Sequence, residues 1–386
     1  MGVVNAKVAV VICNWNKKDD ILKCIASVLD QDYQELDTYV VDNASSDGSA
    51  EAIAQAYPEV TVIVNEENLG GSGGFNTGLR AALTKDYHYI WLLDNDVVAD
   101  RQALSKLVHF LSGNEDAGMA GSKLYYMSQP DLVQEFGAWI DWDNAYIKPN
   151  KKYHSEARDG EITENAEVDY VPACSVLVRT DAVRKCGLMN ESNFLYWDDM
   201  EWGFKFKQNR YKVYAVADSK VWHNMGTANK RNLLPTYYFW RNRIRFFKKY
   251  GNAKTFDALM EDLFTAQFTC SVFQKDNTRK VIEKAMLDGL NDRGGPIAGA
   301  GSNDLDIDRP RKYLDDYPEE EKKRLRYLDL DHVIANAPFE DAGDRFLIYR
   351  DKYHNLLPSG VAFGFQGEYR SQKADFLSGI KERLRA

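Results

Sequence analysis

The sequence predicts an α/β protein built on a mainly parallel sheet flanked by helices, and three observations carry that expectation. Short apolar strands alternate with amphipathic helices through the first hundred residues. The strands are continuous apolar runs rich in β-branched residues, as expected of strands buried on both faces. Each run ends in polar residues, so four polar clusters fall on one rim of the sheet. Strands alternating with helices in this way imply parallel pairing through right-handed crossovers.

Val8 to Cys13 is the first strand, ending at Asn14-Trp15-Asn16. Asp19 to Leu29 follows as a helix, with Ile21, Leu22, Ile25 and Leu29 on one stripe and acids in its first turn. Leu36 to Val41 is a second strand ending at Asp42-Asn43, and Ser46 to Tyr57 a second helix. Val60 to Val64 is a third strand, ending in Asn65 to Asn68. A glycine-rich segment opens a third helix around Gly74 to Leu83. Tyr89 to Leu93 is the fourth strand, ending at Asp94-Asn95-Asp96. Further on, Tyr211 to Val216 reads as a strand and Thr255 to Leu290 as helical. Gly294 to Gly301 reads as a loop, and Pro318 to Leu328 and Ser371 to Leu384 as helices.

A chain of 386 residues exceeds one ordinary core, so two domains are expected: 1–230, carrying the sheet, and a mostly helical region, 231–386. A formal net charge of −9 argues against a nucleic-acid partner. The five cysteines form no C-x-x-C pair, which fits a reduced, cytoplasmic compartment. The N-terminus runs straight into a strand, without a signal peptide, and no apolar run is long enough to span a bilayer. Membrane contact would then be peripheral, at the inner face of the cell membrane.

Ligands of such sheets bind beyond the carboxyl ends of the strands. Asp94 and Asp96 offer two carboxylates at such an end, an environment that suits a hard divalent cation. The run Gly70-Gly71-Ser72-Gly73-Gly74 lets backbone approach a ligand and offers N–H groups ahead of a helix, which suits phosphate. It lacks the Gly-Lys-Ser/Thr ending of a P-loop and does not follow the first strand, as a dinucleotide fingerprint would. Asp198, Asp199 and Glu201 lie among Phe194, Tyr196, Trp197, Trp202 and Phe204. Partial burial there would raise a carboxyl pKa toward a useful range, although acids at a helix start also suit the macrodipole. Taken alone, Asp42 reads equally well as an Asx-turn and His223 as a structural histidine. Phe136, Trp139, Trp142 and Tyr146 could stack on the flat face of a ligand, with core packing the favoured reading. Lys230 and Arg231, with the basic residues of the aromatic run after them, could clamp a diphosphate after loop closure. The aromatic-basic run Tyr237 to Tyr250 could lie on a membrane surface, with packing on the catalytic domain preferred.

Val-Ile-Cys-Asn-Trp-Asn at 11–16, Val-Val-Asp-Asn-Ala-Ser-Ser-Asp-Gly-Ser at 40–49, Asn-Leu-Gly-Gly-Ser-Gly-Gly-Phe at 68–75 and Leu-Leu-Asp-Asn-Asp at 92–96 stand in order along the chain. Together they resemble the inverting, metal-dependent glycosyltransferases of family 2, whose fold is GT-A, over about residues 5 to 250. The 68–75 motif and Trp197 to Gly203 are most similar to the bacterial galactofuranosyltransferases, with rhamnosyltransferases sharing the layout. The resemblance implies a divalent cofactor, Mn²⁺ or Mg²⁺, at Asp96 and His223, with Asp94 beside it on the metal or the ribose. It implies Asp199 as the base, with Asp198, Glu201 and Trp197 toward the acceptor. It implies a nucleotide-sugar donor held by Asn14, Asn16, Asp42, Asn68, Gly70, Gly71, Gly73, Gly74, Asp94, Lys230 and Arg231. The donor it favours is UDP-galactofuranose and the acceptor a glycan or lipid-linked sugar of bacterial surface polysaccharide. The alternatives are dTDP-rhamnose as donor, or a nucleotide-sugar-binding protein without catalysis. Val171-Pro172-Ala173-Cys174-Ser175 departs from the commoner family pattern, which leaves acceptor identity open, as oligomeric state also is.

Overall fold

The computed structural model describes residues 6–224, 233–272 and 276–297, together with the short strand pair at 348–350 and 356–358. Lys230, Arg231 and the expected helices at 318–328 and 371–384 lie outside the described residues. The first half runs β1 (Val8–Asn14), α1 (Lys18–Leu29), β2 (Leu36–Asp42), α2 (Ser49–Ala56), β3 (Thr61–Val64), α3 (Gly70–Leu83), β4 (Tyr89–Asp94), β5 (Val97–Ala99) and α4 (Ala103–Gly113). It continues with β6 (Ala117–Tyr126), β7 (Gln129–Glu135), β8 (Ala138–Asp141), β9 (Tyr146–Pro149), α5 (Glu156–Asp159), β10 (Ala166–Val168), β11 (Ser175–Arg179) and α6 (Thr180–Cys186). The rest is α7 (Asp198–Gln208), β12 (Lys212–His223), α8 (Leu234–Tyr250), α9 (Ala253–Val272), α10 (Asp276–Leu290), β13 (Ile348–Arg350) and β14 (Leu356–Pro358).

The main sheet has the order β10-β12-β6-β11-β4-β1-β2-β3, with β5 paired to β12 and β7 to β6. β1 lies parallel between β2 and β4, and the register sets Asn14 opposite Asp42 and Cys13 opposite Asp94. Three strand ends are therefore level. Val8, Val10 and Ile12 face one apolar layer with Ile21, Ile25 and Leu104, while Ala9 and Val11 face another with Leu79 and Phe206. A strand covered on both faces has no polar side to show, which is why β1 reads as an unbroken apolar run.

A third core joins α8, α9 and α10 to Trp197 and Met200 of the α7 region and to Ile140 and Ala145 of the β8–β9 hairpin. α8 buries Tyr238, Trp240, Ile244, Phe246 and Phe247, so its aromatic-basic run is a packed helix. Phe136 is buried, and Trp142 packs on Phe204, Phe246 and Phe247, so these rings are core. Among the described residues no helix is long and apolar enough to cross a membrane.

Several boundaries differ from expectation. α2 starts at Ser49, because Asp47 accepts from the Ser49 backbone N–H at 3.1 Å and holds Ser46–Gly48 as a turn. α3 starts at Gly70, so the glycine run is the first turn of a helix and not a loop before it. β12 runs on to His223, past a register shift between Val216 and Lys220 where the apolar pattern breaks.

Candidate active site

The strand ends build the site. β4 delivers Asp94, the chain turns through Asn95 and Asp96, and β5 leaves antiparallel to β12 with Val97 opposite His223. The Asn224 N–H donates to the Asp96 carbonyl at 2.8 Å and closes this corner. Candidate ligand atoms of Asp94, Asp96 and His223 consequently all lie within 4.8 Å of one another. His223 Nε2 is 3.1 Å from Asp96 Oδ1. Its Nδ1 lies 3.0 Å from Gln134 Nε2 and 3.1 Å from Gln134 Oε1, on β7. A proton on Nδ1 donated to that oxygen leaves a lone pair on Nε2 facing the carboxylates, the tautomer a metal ligand needs. Two carboxylates and one imidazole suit Mn²⁺ or Mg²⁺ with donor phosphates completing the shell.

The electrostatics of the trio are uneven. Burial and then Asp96 push the Asp94 carboxyl up to about 6. Burial alone would raise Asp96 too, but His223 and Lys17 hold it below the usual carboxylate range. Burial works against the His223 imidazolium, yet Asp96 and Asp94 keep it above its ordinary value. Lys17 Nζ bonds the other Asp96 oxygen, Oδ2, while the lysine stays about a third exposed.

Beside the trio lies a polar net at the ends of β1, β2 and β3. Asp42 accepts from Asn14 Nδ2 at 2.9 Å and from the Ser45 N–H at 2.8 Å, an Asx-turn. Asn14 Oδ1 accepts from Asn95 Nδ2 at 2.8 Å, tying β1 to the Asp94–Asp96 turn. Asn16, at φ 50°, accepts from the Ser46 N–H at 2.8 Å. Asn68 Oδ1 accepts from the Gly70 N–H at 2.8 Å. Asn43 donates to the Gly70 carbonyl at 2.9 Å and accepts from the Leu69 N–H at 3.1 Å. Asn43 was no site candidate in the sequence, yet it anchors the start of α3.

The glycines divide. A Cβ on Gly70 would stand 2.1 Å from the Phe194 carbonyl oxygen, on Gly73 2.5 Å from Leu69 Cβ, and on Gly74 2.3 Å from Cys13 Sγ. These three permit close packing of α3. Gly71 alone of the four faces the site: a Cβ there would meet Asp198 Oδ2 at 3.5 Å, an ordinary contact.

The acids of α7 take separate directions. Asp198 is buried, and burial together with Asp94 and Glu201 pushes it up to about 6. Asp199 is half-buried and accepts from the Met200 N–H at 2.7 Å through Oδ1. Burial, then Asp198 and Glu135, push Asp199 well above the usual carboxylate range. Glu135, at the end of β7, also accepts from the Tyr170 hydroxyl. Glu201 turns away from the site. It takes Lys249 Nζ at 3.1 Å and the Tyr250 hydroxyl at 2.9 Å on Oε1, and Asn190 at 2.9 Å and Asn193 at 3.0 Å on Oε2. Its expected acceptor contact is corrected: the carboxylate ties α7 to α8. Trp197 is corrected likewise, since its ring is buried against Phe239, Phe246 and Phe247. Arg241 and Arg243 are buried in the third core, Arg243 bonding the Ala145 carbonyl and Asp262, so neither is a diphosphate clamp. Lys17, Gln134 and Glu135 carried no signal in the sequence, because each is placed by pairing with distant segments.

Residues 9–176 match the family model described as glycosyl transferase family 2. The chain is similar to the galactofuranosyltransferase GlfT2 of Mycolicibacterium smegmatis, with 23% identity over 263 residues, covering 62% of this chain and 40% of that protein. It is also similar to GlfT2 of Mycobacterium tuberculosis, with 20% identity over 200 residues, covering 47% of this chain and 31% of that protein. The matched stretch thus spans less than half of either relative. The crystal structure of GalNAc-T7 with UDP, GalNAc and Mn²⁺ shares the fold with a TM-score of 0.52 at 16% identity, covering 74% of this chain and 56% of that one.

Proposed function

We propose, from the premise that this chain belongs to glycosyl transferase family 2 and has the GT-A fold, that it moves a sugar from a nucleotide diphosphate to an acceptor hydroxyl by a single inverting displacement. The observation that carries this reading is the meeting, on one rim, of the Asp94–Asp96–His223 trio with the acidic start of α7, where Asp94 is close enough to add to the rise of the Asp198 carboxyl. A divalent ion held by the trio would neutralise the charge that develops on the leaving diphosphate. Asp199 supplies the base. A carboxylate raised by burial takes a hydroxyl proton far better than one at its ordinary value, provided it is ionised at working pH. Asp198, 3.5 Å from where a Gly71 side chain would begin, feels Asp94 and acts in turn on Asp199, and it positions the acceptor.

The donor we favour is UDP-galactofuranose, supported by the 68–75 and 197–203 motifs and by the similarity to the two mycobacterial galactofuranosyltransferases. The acceptor class is a glycan or lipid-linked sugar of a bacterial surface polysaccharide. Nucleoside diphosphate release should be measured from UDP-galactofuranose, UDP-galactopyranose and dTDP-rhamnose, with Mn²⁺ or Mg²⁺ and with excess chelator. Release from the first, lost in chelator, with inverted anomeric configuration in the product, is expected. Release only from dTDP-rhamnose overturns the donor, and full activity in chelator overturns the metal.

A further inference from the structure

We infer that Asn242 and Arg241 of α8 are positioning residues for Asp198 and Asp199, acting through the backbone of the loop that launches α7. This rests on the reading of Asp199 as the base. The loop has an unusual conformation. Phe194, Tyr196 and Trp197 lie at φ 63°, 62° and 66°, the left-handed region that bulky side chains avoid. Trp197 directly precedes Asp198 and makes no side-chain cap bond to the helix. The local bonds, from the Leu195 N–H to the Asn193 carbonyl at 2.7 Å and from Asn193 Nδ2 to the Trp197 carbonyl at 3.4 Å, leave the Tyr196 carbonyl to a partner outside the loop.

α8 supplies that partner. Asn242 Nδ2 donates to the carbonyls of Asn193 and Leu195, each at 2.8 Å, and of Tyr196 at 2.9 Å. Arg241 donates to the carbonyls of Asn193 at 2.8 Å and Ser192 at 3.1 Å. The Arg241 guanidinium lies 4.8 Å from the Tyr238 ring centre, which fixes it from the side. Both side chains are about 1% exposed. Buried polar groups are tolerated when their bonds are met, and here most acceptors are backbone carbonyls of this loop, Arg241 donating also to Asn242 Oδ1 and the Gly295 carbonyl. On its other side the loop meets α3, whose Gly70 leaves room for the Phe194 carbonyl. The loop is thus wedged between two helices. Loosening the α8 side lets Tyr196 and Trp197 relax toward negative φ, and α7 starts from a different place.

The test removes the clamp and then removes the need for it. Asn242→Ala should lower kcat by about 10- to 100-fold, the scale of a misplacement near 1 Å. Donor diphosphate affinity, read by calorimetry with UDP and Mn²⁺, should stay within about threefold of wild type, because the trio is untouched. Adding Tyr196→Asn should restore most of kcat, since asparagine tolerates left-handed backbone and Tyr196 is exposed. A defect that was merely loss of fold would not be rescued at this surface position. Hydrogen exchange of the 195–199 amides should rise in Asn242→Ala and fall again in the double variant. That arm needs no turnover, so it decides the clamp even if the reaction is another. If Asn242→Ala does not accumulate, Arg241→Lys, which keeps the charge but loses the fork, should show the same pattern more mildly. Wild-type kcat and exchange in these variants overturns the inference. So does a parallel loss of kcat and UDP affinity, or a failure of Tyr196→Asn to rescue either readout.

Discussion

Gly70→Ala should be the most damaging single methyl in the glycine run, and Gly71→Ala, one position on, among the mildest for stability. At Gly70 two costs add. Its φ of 72° is one that a residue with a Cβ adopts only at about 1–2 kcal/mol. The added Cβ would also stand 2.1 Å from the Phe194 carbonyl oxygen and 2.7 Å from its carbonyl carbon. Backbone must move to make room, and overpacking of that kind costs about 1–3 kcal/mol. A combined loss of about 2–5 kcal/mol corresponds to a fall in Tm on the order of 5–15 °C for a domain of this size. At Gly71 the nearest atoms would be Asp198 Oδ2 at 3.5 Å and the Phe194 carbonyl oxygen at 3.9 Å, both ordinary contacts. Alanine is also the better helix former. Its Tm should stay within about 2 °C of wild type, while transfer falls because the methyl enters the space before Asp198. Circular dichroism melts of the two variants at one protein concentration measure the contrast. A Gly70→Ala melt indistinguishable from wild type, or a Gly71→Ala melt lowered as far as that of Gly70→Ala, would refute the division of the run into packing and site glycines.

Gln134→Leu should weaken Mn²⁺ binding by about 10- to 100-fold, since the partner of His223 Nδ1 is lost; unchanged calorimetric affinity would show that this contact does not orient the imidazole. Lys17→Met should change Mn²⁺ affinity in the other direction, tightening it by a factor of roughly 5, the scale of a partly exposed ion pair, because the ammonium on Asp96 Oδ2 competes with the ion for this carboxylate. Weaker binding in that variant would overturn the competition. Asp198 gives a pH signature in chelator. Its folded pKa of about 6 lies above its ordinary 3.8, so the protonated form adds stability that is complete below 3.8 and lost as pH rises through about 6. Asp198→Asn should therefore melt near the wild-type temperature at about pH 4 and above it at about pH 8; equal melting at the higher pH would show that the carboxylate carries no burial cost.

The half of the sheet that was legible is the half made of apolar strands. β1, β2 and β4 are covered on both faces, so each is a short, β-branched-rich apolar run bounded by polar residues. β6, β11 and β12 are equally central, yet their pattern is broken by buried hydroxyls. Ser122 bonds Ser175 and Ser219, each at 2.7 Å, so three strands share a small polar ladder inside the core. Lys123 is fully buried on β6, its charge met by Glu156 at 2.6 Å. Residues that satisfy each other across strands look, one strand at a time, like a loop. The glycine run reads two ways for a related reason. A glycine kept for a close approach and one kept for a ligand are the same letter, and only the neighbour decides which it is.

The acidic triplet shows where reading a site from sequence stops. Asp198, Asp199 and Glu201 are alike in composition and share one helical turn, and the resemblance placed all three in the active site. What separates them is charge balance, which depends on chain that returns from far away. Glu201 meets Lys249 and Tyr250 of α8 and is held below the usual carboxylate range despite its burial. That is a carboxylate stabilised as an ion, fit to hold two helices and unfit to take a proton. Among the described residues Asp198 and Asp199 meet backbone N–H groups and other carboxylates, and both are raised. Keeping two such groups together is unfavourable for folding, and on the proposed reading the cost falls where a proton transfer would gain from it. α8 takes part on both counts: Lys249 and Tyr250 fix Glu201, while Arg241 and Asn242 hold the loop that aims the other two acids. The helical segment that carries no catalytic motif thus separates the acid held as an ion from the two raised ones, which the proposal assigns to the chemistry.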